Sequence, residues 1–201
     1  MGADAIPIVL TFLLVLVAWQ VTLLSNKDLV RARAWGELAR RSLPFAAIAV
    51  MGAALPLLQG RQENWLPVAW ALTFGVVLVV ANFLSVPLAE RRASRAFRSG
   101  DYAGATALYR RLAEERSLAR YWAFLGAALG ADEHNDKALD ASSQAVELDP
   151  KYGLAYYNRA LILHKTGRKS RAAKDLKRAL ETDMPRRFKS AARGMLEDLK
   201  K

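Results

Sequence analysis

An internal repeat with a period of 34 residues dominates the second half of the chain. Shifting the sequence by 34 residues superimposes similar side chains at seven places: Trp122 on Tyr156, Gly126 on Ala160, Leu129 on Leu163, Ala138 on Ala172, Ala145 on Ala179, Glu147 on Glu181, and Asp149 on Asp183. A period of this length is typical of stacked helix hairpins, in which each hairpin buries its apolar face only against its neighbours. The small residues at three of these places predict close packing between the paired helices.

Two segments carry the repeat most clearly: YWAFLGAAL…KALDASSQAVELDP and YYNRALIL…RAAKDLKRALETDMP. In the order of an aromatic residue, a small residue, alanines and a final proline, they resemble the tetratricopeptide repeat family. The resemblance implies three hairpins at about 86–118, 119–152 and 153–185. The amphipathic segment 186–199 is then expected to cap the stack with a polar outer face.

The turn within each predicted hairpin falls at a corresponding position. Gly167 serves the third hairpin and Gly100 the first, where it precedes Asp101 and Tyr102. The second hairpin has Glu133 at this place, although the neighbouring Asn135 and Asp136 keep the region turn-like. The first hairpin also departs from the pattern, because Ala89 occupies the place of the large aromatic residue and no closing proline follows.

Residues 1–88 are apolar and contain only 6 of the 30 basic and 4 of the 19 acidic residues. Three uncharged runs, at 5–24, 42–59 and 65–88, predict three membrane-spanning helices because about 20 apolar residues cross the hydrocarbon core. The middle run is the least apolar, and its small residues suit close packing against another helix. The first run lacks a basic segment before it and a small-residue cleavage site after it, so a retained helix is expected rather than a signal peptide.

Basic residues near the ends of the runs predict the orientation. The 25–41 loop carries five Lys or Arg residues, the 60–64 connection carries one, and four arginines follow the third run. By the positive-inside rule, the N-terminus faces outward and the domain at 89–201 is cytoplasmic, at the cell membrane. The 27–41 segment is either an interfacial helix, with Leu29, Ala32, Trp35 and Leu38 turned toward lipid, or a plain solvated connector.

The family resemblance implies that the concave groove of the stack, lined by the first helix of each hairpin, binds a peptide or another protein. Its inward positions are Arg120, Phe124, Tyr157, Asn158, Leu161 and Lys165. Asn158 with Arg120 and Lys165 resembles part of a clamp for a C-terminal carboxylate, but Ala123 and Ala127 occupy places where such a clamp needs polar side chains. Phe124 and Tyr157 are equally well explained by packing between hairpins.

A run of cations follows the groove residues in the sequence. The run at 168–178 consists of Arg168, Lys169, Arg171, Lys174, Lys177 and Arg178. Such a run is usually a solvated helix face. It can also attract the anionic cytoplasmic leaflet or an acidic partner. Nucleic acid is not expected as a partner, because no nucleic-acid-binding fold accompanies the charge.

The sequence favours binding over chemistry. It contains no cysteine, and its two histidines lie 30 residues apart, so a metal site and a thiol nucleophile are not expected. The apolar runs contain no ionisable residue between their ends, which favours an anchor over a transporter. We therefore expect an all-α protein that is not an enzyme, without a cofactor or a small-molecule substrate.

Two functions remain open at this point. The first is a membrane-anchored scaffold for protein–protein interaction, which holds a partner at the bilayer and contacts lipid. The alternative is an accessory or assembly subunit of a multi-subunit membrane complex. The polar Gln20 and Asn82 within the apolar runs slightly favour the alternative, although they could equally hydrogen-bond within one bundle.

Overall fold

The computed structural model describes residues 5–54 and 65–199. These residues form helices joined by turns and contain no strand, so the expected all-α class is confirmed for them. The chain divides into two compact units, Met1–Pro87 and Leu88–Lys201. The division lies one residue before the predicted boundary.

The described residues of the first unit form five helices: α1 Ala5–Ser25, α2 Lys27–Arg31, α3 Trp35–Arg41, α4 Leu43–Ala53 and α5 Leu66–Leu84. Helix α4 packs against both α1 and α5. Many large apolar side chains point outward, and Leu72, Val76 and Val79 of α5 are each more than 60% exposed. Exposed apolar surface on this scale requires a covering of lipid or protein.

Of the three predicted membrane spans, the described residues support one. Helix α5 has 19 residues with a mean hydropathy of 2.0 and is long and apolar enough to cross a membrane. In α1, the stretch over which the side chains are described without a gap, Val15–Ser25, is shorter than a span requires, and so is Leu43–Ala53 of α4. The predicted end of the middle run, 55–59, lies outside the described residues. The third helix ends at Leu84 rather than at Leu88, because Pro87 has no backbone N–H and disfavours a helical residue before it.

The interfacial helix considered for 27–41 does not form. The segment folds into α2 and α3, joined by a turn in which Arg33 has a φ of 53°. Leu29 and Leu38 are only 1% and 2% exposed, so they pack inside the unit and do not face outward. Trp35, in contrast, is largely exposed. The burial of these two leucines stabilises the arrangement of two short helices over one continuous amphipathic helix.

The second unit contains seven helices: α6 Leu88–Arg98, α7 Tyr102–Arg116, α8 Ala119–Ala131, α9 Asn135–Leu148, α10 Gly153–Lys165, α11 Lys169–Glu181 and α12 Arg186–Asp198. Consecutive helices pack in pairs as α6 with α7, α8 with α9, and α10 with α11. Helix α10 also contacts α8 and α9, so the hairpins stack in series. This arrangement is the α-solenoid that the repeat predicts.

Small residues bring the paired helices together. Ala123, Ala138, Ala160 and Ala172 are fully buried. At Gly126, an added Cβ atom would lie 2.2 Å from the Oγ atom of Ser142. The absence of a side chain at Gly126 therefore permits the close approach of α8 to α9.

The three turns within the hairpins share one backbone geometry. Gly100, Glu133 and Gly167 have φ angles of 83°, 63° and 75°. After each of them, the next residue donates its backbone N–H to the carbonyl oxygen five residues earlier in the chain. These bonds measure 3.0 Å for Asp101 to Ala96, 2.9 Å for His134 to Leu129 and 2.8 Å for Arg168 to Leu163. The turn predicted at Glu133 thus forms despite the missing glycine.

We expect Glu133→Gly to raise the free energy of unfolding by about 0.5–1 kcal/mol. A left-handed conformation costs a residue with a side chain about 1–2 kcal/mol, and the greater freedom of glycine in the unfolded chain returns part of this gain. The ion pair between Glu133 and Lys165 is exposed at 3.6 Å and contributes little. Thermal unfolding monitored by circular dichroism measures the change. Glu133→Ala removes the same charge without relieving the strain, so an equal gain from this variant would contradict the explanation.

Helix α12 closes the stack against α11. Ala192 is fully buried, and Phe188, Met195 and Leu199 pack on the cluster that contains Leu176. Pro185 precedes the helix, as suits a residue without an N–H at a helix start. The apolar face of α12 therefore covers the end of the last hairpin, while its arginines remain exposed.

Candidate functional site

An apolar groove of about 670 Å³ runs along the second unit. Helices α6, α8 and α10 line it, as first helices of the hairpins should, and α7 and α12 contribute as well. Its described lining consists of Ser94, Phe97, Arg98, Tyr109, Phe124, Ala127, Gly130, Ala131, Leu154, Tyr157, Asn158, Leu161, Ile162, Lys165, Arg187 and Phe188. The volume lies in the range of pockets that bind small molecules or peptide side chains.

Aromatic rings form much of the groove surface. The ring centroids of Tyr109 and Phe124 lie 5.4 Å apart, and those of Tyr157 and Phe188 lie 5.6 Å apart. Burial raises the pKa of Tyr109, and it also raises that of Tyr157. Both phenols are therefore neutral at physiological pH, so the aromatic surface carries no negative charge.

The charged residues in the described lining are all basic. Arg98 and Arg187 are exposed, and the guanidinium carbon of Arg187 lies 4.8 Å from the ring centroid of Phe188. The Nζ atom of Lys165 donates to the backbone oxygen of Gly130 at 3.3 Å. No aspartate or glutamate is among the lining residues. The groove thus combines an apolar floor with an excess of positive charge.

The structure brings five of the six predicted groove residues together: Phe124, Tyr157, Asn158, Leu161 and Lys165. Arg120 is not among the lining residues and is only 7% exposed, because its helix turns that position into the core. The amide nitrogen of Asn158 donates to the backbone oxygen of Ala123 at 2.9 Å. Asn158 therefore ties α10 to α8 through one N–H of its amide, and the suggested carboxylate clamp lacks Arg120 on the groove surface.

Ten groove residues were not predicted from the sequence. Four of them lie on α8 and α10, namely Gly130, Ala131, Leu154 and Ile162, and the other six lie on α6, α7 and α12, namely Ser94, Phe97, Arg98, Tyr109, Arg187 and Phe188. A signal for two of them was present. Extending the period into the first hairpin aligns Ser94 with Ala127 and Leu161, and it aligns Arg98 with Ala131 and Lys165. Tyr109 lies on the second helix of its hairpin, and the two α12 residues lie beyond the repeats. The expectation that the first helix of each hairpin lines the groove therefore could not include them.

The six cations of the 168–178 run lie on α11 or directly before it and form the α11 basic surface. All six are solvent-exposed. Arg178 pairs with Glu181 at 3.3 Å, and hydrogen bonds to Tyr156 and Glu181 raise the pKa of its guanidinium. Arg168, Arg171 and Lys174 also line a separate cavity of about 380 Å³ next to Arg159 and Asp175. The surface therefore includes a concave part as well as a solvated face.

A metal centre has no support in the described ranges 5–54 and 65–199. No group of three His, Cys, Asp or Glu side chains there is arranged to hold an ion. The Nδ1 atom of His134 lies 3.2 Å from a carboxylate oxygen of Asp132, but this exposed pair has no third ligand. The groove and the basic surface are the features of the described residues that can bind a partner.

Comparisons with known proteins support the tetratricopeptide resemblance. Residues 143–174 match the tetratricopeptide repeat model. The tetratricopeptide domain of Sgt2 from Aspergillus fumigatus aligns with a TM-score of 0.50 and 20% identity, over 57% of this chain and 78% of that one. SycD, the type III secretion translocator chaperone of Yersinia enterocolitica, aligns with a TM-score of 0.49 and 26% identity, over 54% of this chain and 78% of the other. No curated protein matches the sequence.

Proposed function

We propose that this chain is a docking protein whose groove takes up a segment of a partner protein, while its apolar helices hold it at a membrane. The observation that carries the proposal is the apolar groove whose charged lining residues are all cations. Helical repeats of this type offer an extended concave surface and carry out no chemistry of their own. The chain is therefore proposed to be a binding protein and not an enzyme.

The groove chemistry defines the partner segment. Phe124, Tyr157 and Leu161 offer apolar contact area, which favours aromatic or aliphatic side chains on the ligand. Arg98, Lys165 and Arg187 attract carboxylates and disfavour basic segments. We propose a segment with apolar anchor residues flanked by Asp or Glu. With Asn158 engaged and Arg120 buried, such acidic side chains are a better match than a single C-terminal carboxylate.

Selection from a random peptide library by the full chain in non-ionic detergent tests the groove. We expect enriched peptides to combine apolar anchors with acidic residues. Leu161→Asp should weaken their binding at least about tenfold, because it places a carboxylate against the apolar anchor. Leu161 is 38% exposed, so the substitution leaves the fold intact. The matched control is Leu148→Asp, at a 40% exposed leucine outside the groove. Equal losses in both variants would refute the groove as the binding site.

Charge reversal tests the proposed acidic flank separately. In a Lys165→Glu/Arg187→Glu variant, we expect the library selection to shift from acidic to basic peptides, because the rim of the groove changes sign. Arg110→Glu/Lys137→Glu makes the same change in net charge at two exposed positions outside the groove. If the Lys165→Glu/Arg187→Glu variant still selected acidic peptides, Lys165 and Arg187 would not contact the ligand.

Membrane attachment is the second part of the proposal. Helix α5 has the length and composition of a span, and its described side chains are not buried within the protein. We propose a multi-pass protein of the cell membrane, with spans near 5–24, 42–59 and 65–88, the N-terminus outside and the solenoid in the cytoplasm. Resistance to alkaline carbonate extraction tests the attachment. Labelling of introduced cysteines by an impermeant reagent tests each side, and a solenoid labelled in intact cells would reverse the orientation.

One observation favours the alternative of an accessory or assembly subunit. Gln20 is exposed on α1 among exposed apolar side chains. An amide that faces lipid is costly, so this position favours contact with a helix of another protein. Photo-crosslinking from position 20 in native membranes tests this contact. Crosslinks to lipid alone would exclude the alternative, and a discrete protein adduct would support it.

A further inference from the structure

A cavity of about 380 Å³ lies on α11, apart from the peptide groove. Its polar lining consists of Ser143 from α9, Arg159 from α10, and Arg168, Arg171, Lys174 and Asp175 at or near α11. Leucine side chains form the remaining wall. None of the residues that line this cavity belongs to the groove. The cavity is thus a separate site lined by cations together with two leucines.

The charges of this cavity are not balanced within the described residues. Arg159 binds Asp175 through two hydrogen bonds, of 2.7 and 2.9 Å, so these two charges offset each other. Arg168, Arg171 and Lys174 form no ion pair with any described residue, and all three are exposed. Three positive charges therefore converge on the cavity without an acidic partner. Such an arrangement favours a phosphate or another multivalent anion.

The cations extend beyond the cavity along the helix. Arg171, Lys174 and Arg178 recur at helical spacing and follow one ridge, while Lys169 and Lys177 flank it. Helix α11 has 13 residues and is about 20 Å long. A row of this length can meet several anionic groups at once, whereas a single phosphorylated side chain would engage only one end of it.

We propose that the cavity binds the phosphate of an anionic phospholipid headgroup, with the rest of the α11 basic surface lying against neighbouring headgroups. The two leucines of the lining offer apolar contact to the glycerol part of the lipid. Each exposed cation near an anionic surface is expected to raise the affinity of the chain for that surface about fivefold. The inference rests on the proposed membrane attachment, because a tethered solenoid meets lipid at high effective concentration. The groove remains available for the partner segment.

The absence of cysteine from the chain permits a specific test. Ser170→Cys, at an exposed position between the cations, carries a fluorophore, and vesicles contain a lipid with a quencher in its headgroup. The full chain is added to vesicles of phosphatidylcholine alone, or of phosphatidylcholine with an equal amount of phosphatidylglycerol. Flotation of the vesicles measures attachment, and quenching measures contact of α11 with headgroups.

We expect strong quenching only with phosphatidylglycerol. Arg168→Gln/Arg171→Gln/Lys174→Gln should lower the ratio of contacting to free solenoid about a hundredfold, which follows from fivefold for each cation. The control Arg110→Gln/Lys137→Gln/Arg193→Gln removes three exposed cations elsewhere and should retain the quenching. Equal losses in both triple variants would overturn the site, since only diffuse charge would then be at work.

Flotation separates the two proposals. A chain that floats with both kinds of vesicle but is never quenched overturns the lipid site and leaves the attachment intact. A chain that floats and is quenched only with phosphatidylglycerol supports the site and contradicts attachment through the apolar helices. Inorganic phosphate or a phosphoserine peptide that changes the fluorescence of the wild-type chain, when phosphatidylglycerol does not, would also overturn a lipid headgroup as the ligand.

Discussion

Leu176→Ala is expected to lower the free energy of unfolding of the second unit by about 3 kcal/mol. Leu176 lies on α11 and is fully buried against α10 and α12. It belongs to the cluster that includes Tyr156, Leu163 and Met184. Replacing a buried leucine removes its transfer free energy and leaves a cavity that the surrounding helices fill only partly. Urea unfolding of the full chain in non-ionic detergent, followed by circular dichroism, measures the loss.

Leu148→Ala provides the control for this prediction. Leu148 lies at the end of α9 and is 40% exposed, so its replacement should change stability by less than about 0.5 kcal/mol. Similar values for the two variants would mean that the last hairpin does not share a common core with α12. A loss confined to Leu176→Ala would establish that the closing helix stabilises the solenoid through this cluster.

Arg159→Met is expected to destabilise the second unit by about 2–3 kcal/mol. The guanidinium binds both carboxylate oxygens of Asp175, and its third nitrogen donates to the Oγ atom of Ser143 at 3.2 Å. The hydrogen bonds with Asp175 raise the pKa of Arg159. Together with the bond to Ser143, they tie α10 to both α9 and α11. Without Arg159, the Asp175 carboxylate stays largely buried and unpaired, which is costly.

Two further variants test the origin of that loss. Arg111 forms an exposed pair with Glu115 at 2.6 Å, so Arg111→Met should leave the free energy of unfolding nearly unchanged. Arg159→Met/Asp175→Leu removes both charges and should recover most of the stability, because an apolar pair can replace a buried ion pair. Chemical denaturation of the wild-type chain and the three variants completes the comparison. A double variant less stable than Arg159→Met would show that the unpaired carboxylate is not the cause.

The hairpins and their turns were predictable because each depends on nearby residues. The period of 34 residues identified α8 to α11, and it placed Gly167 and Glu133 at the turns where the backbone is left-handed. Alanine and glycine at repeated positions indicated the close helix pairs, and the structure buries them completely. Local chain geometry and the repeat spacing are enough for these features, since each hairpin repeats the same contacts.

The predictions were weaker where a position depends on a distant contact. Arg120 and Leu154 occupy equivalent repeat positions, yet Leu154 lines the groove and Arg120 does not. Asn158 was expected to face a ligand, but its amide nitrogen binds the carbonyl oxygen of Ala123 across the hairpin boundary. Apolar composition predicted three spans, whereas α5 alone is described over the full length and hydropathy of a span. Composition does not determine where a helix ends or which helix covers it.

The amino-acid sequence by itself determined the all-α class, the repeated hairpins and the concentration of cations at 168–178, because these follow from residue types at a fixed spacing. Only the tertiary structure decided which side chains share a surface. It added Tyr109 and Phe188 to the groove and separated the cavity beside Arg159 from it. The physical reason is that the period specifies contacts between neighbouring helices, whereas a binding surface is assembled from helices that are distant in the sequence.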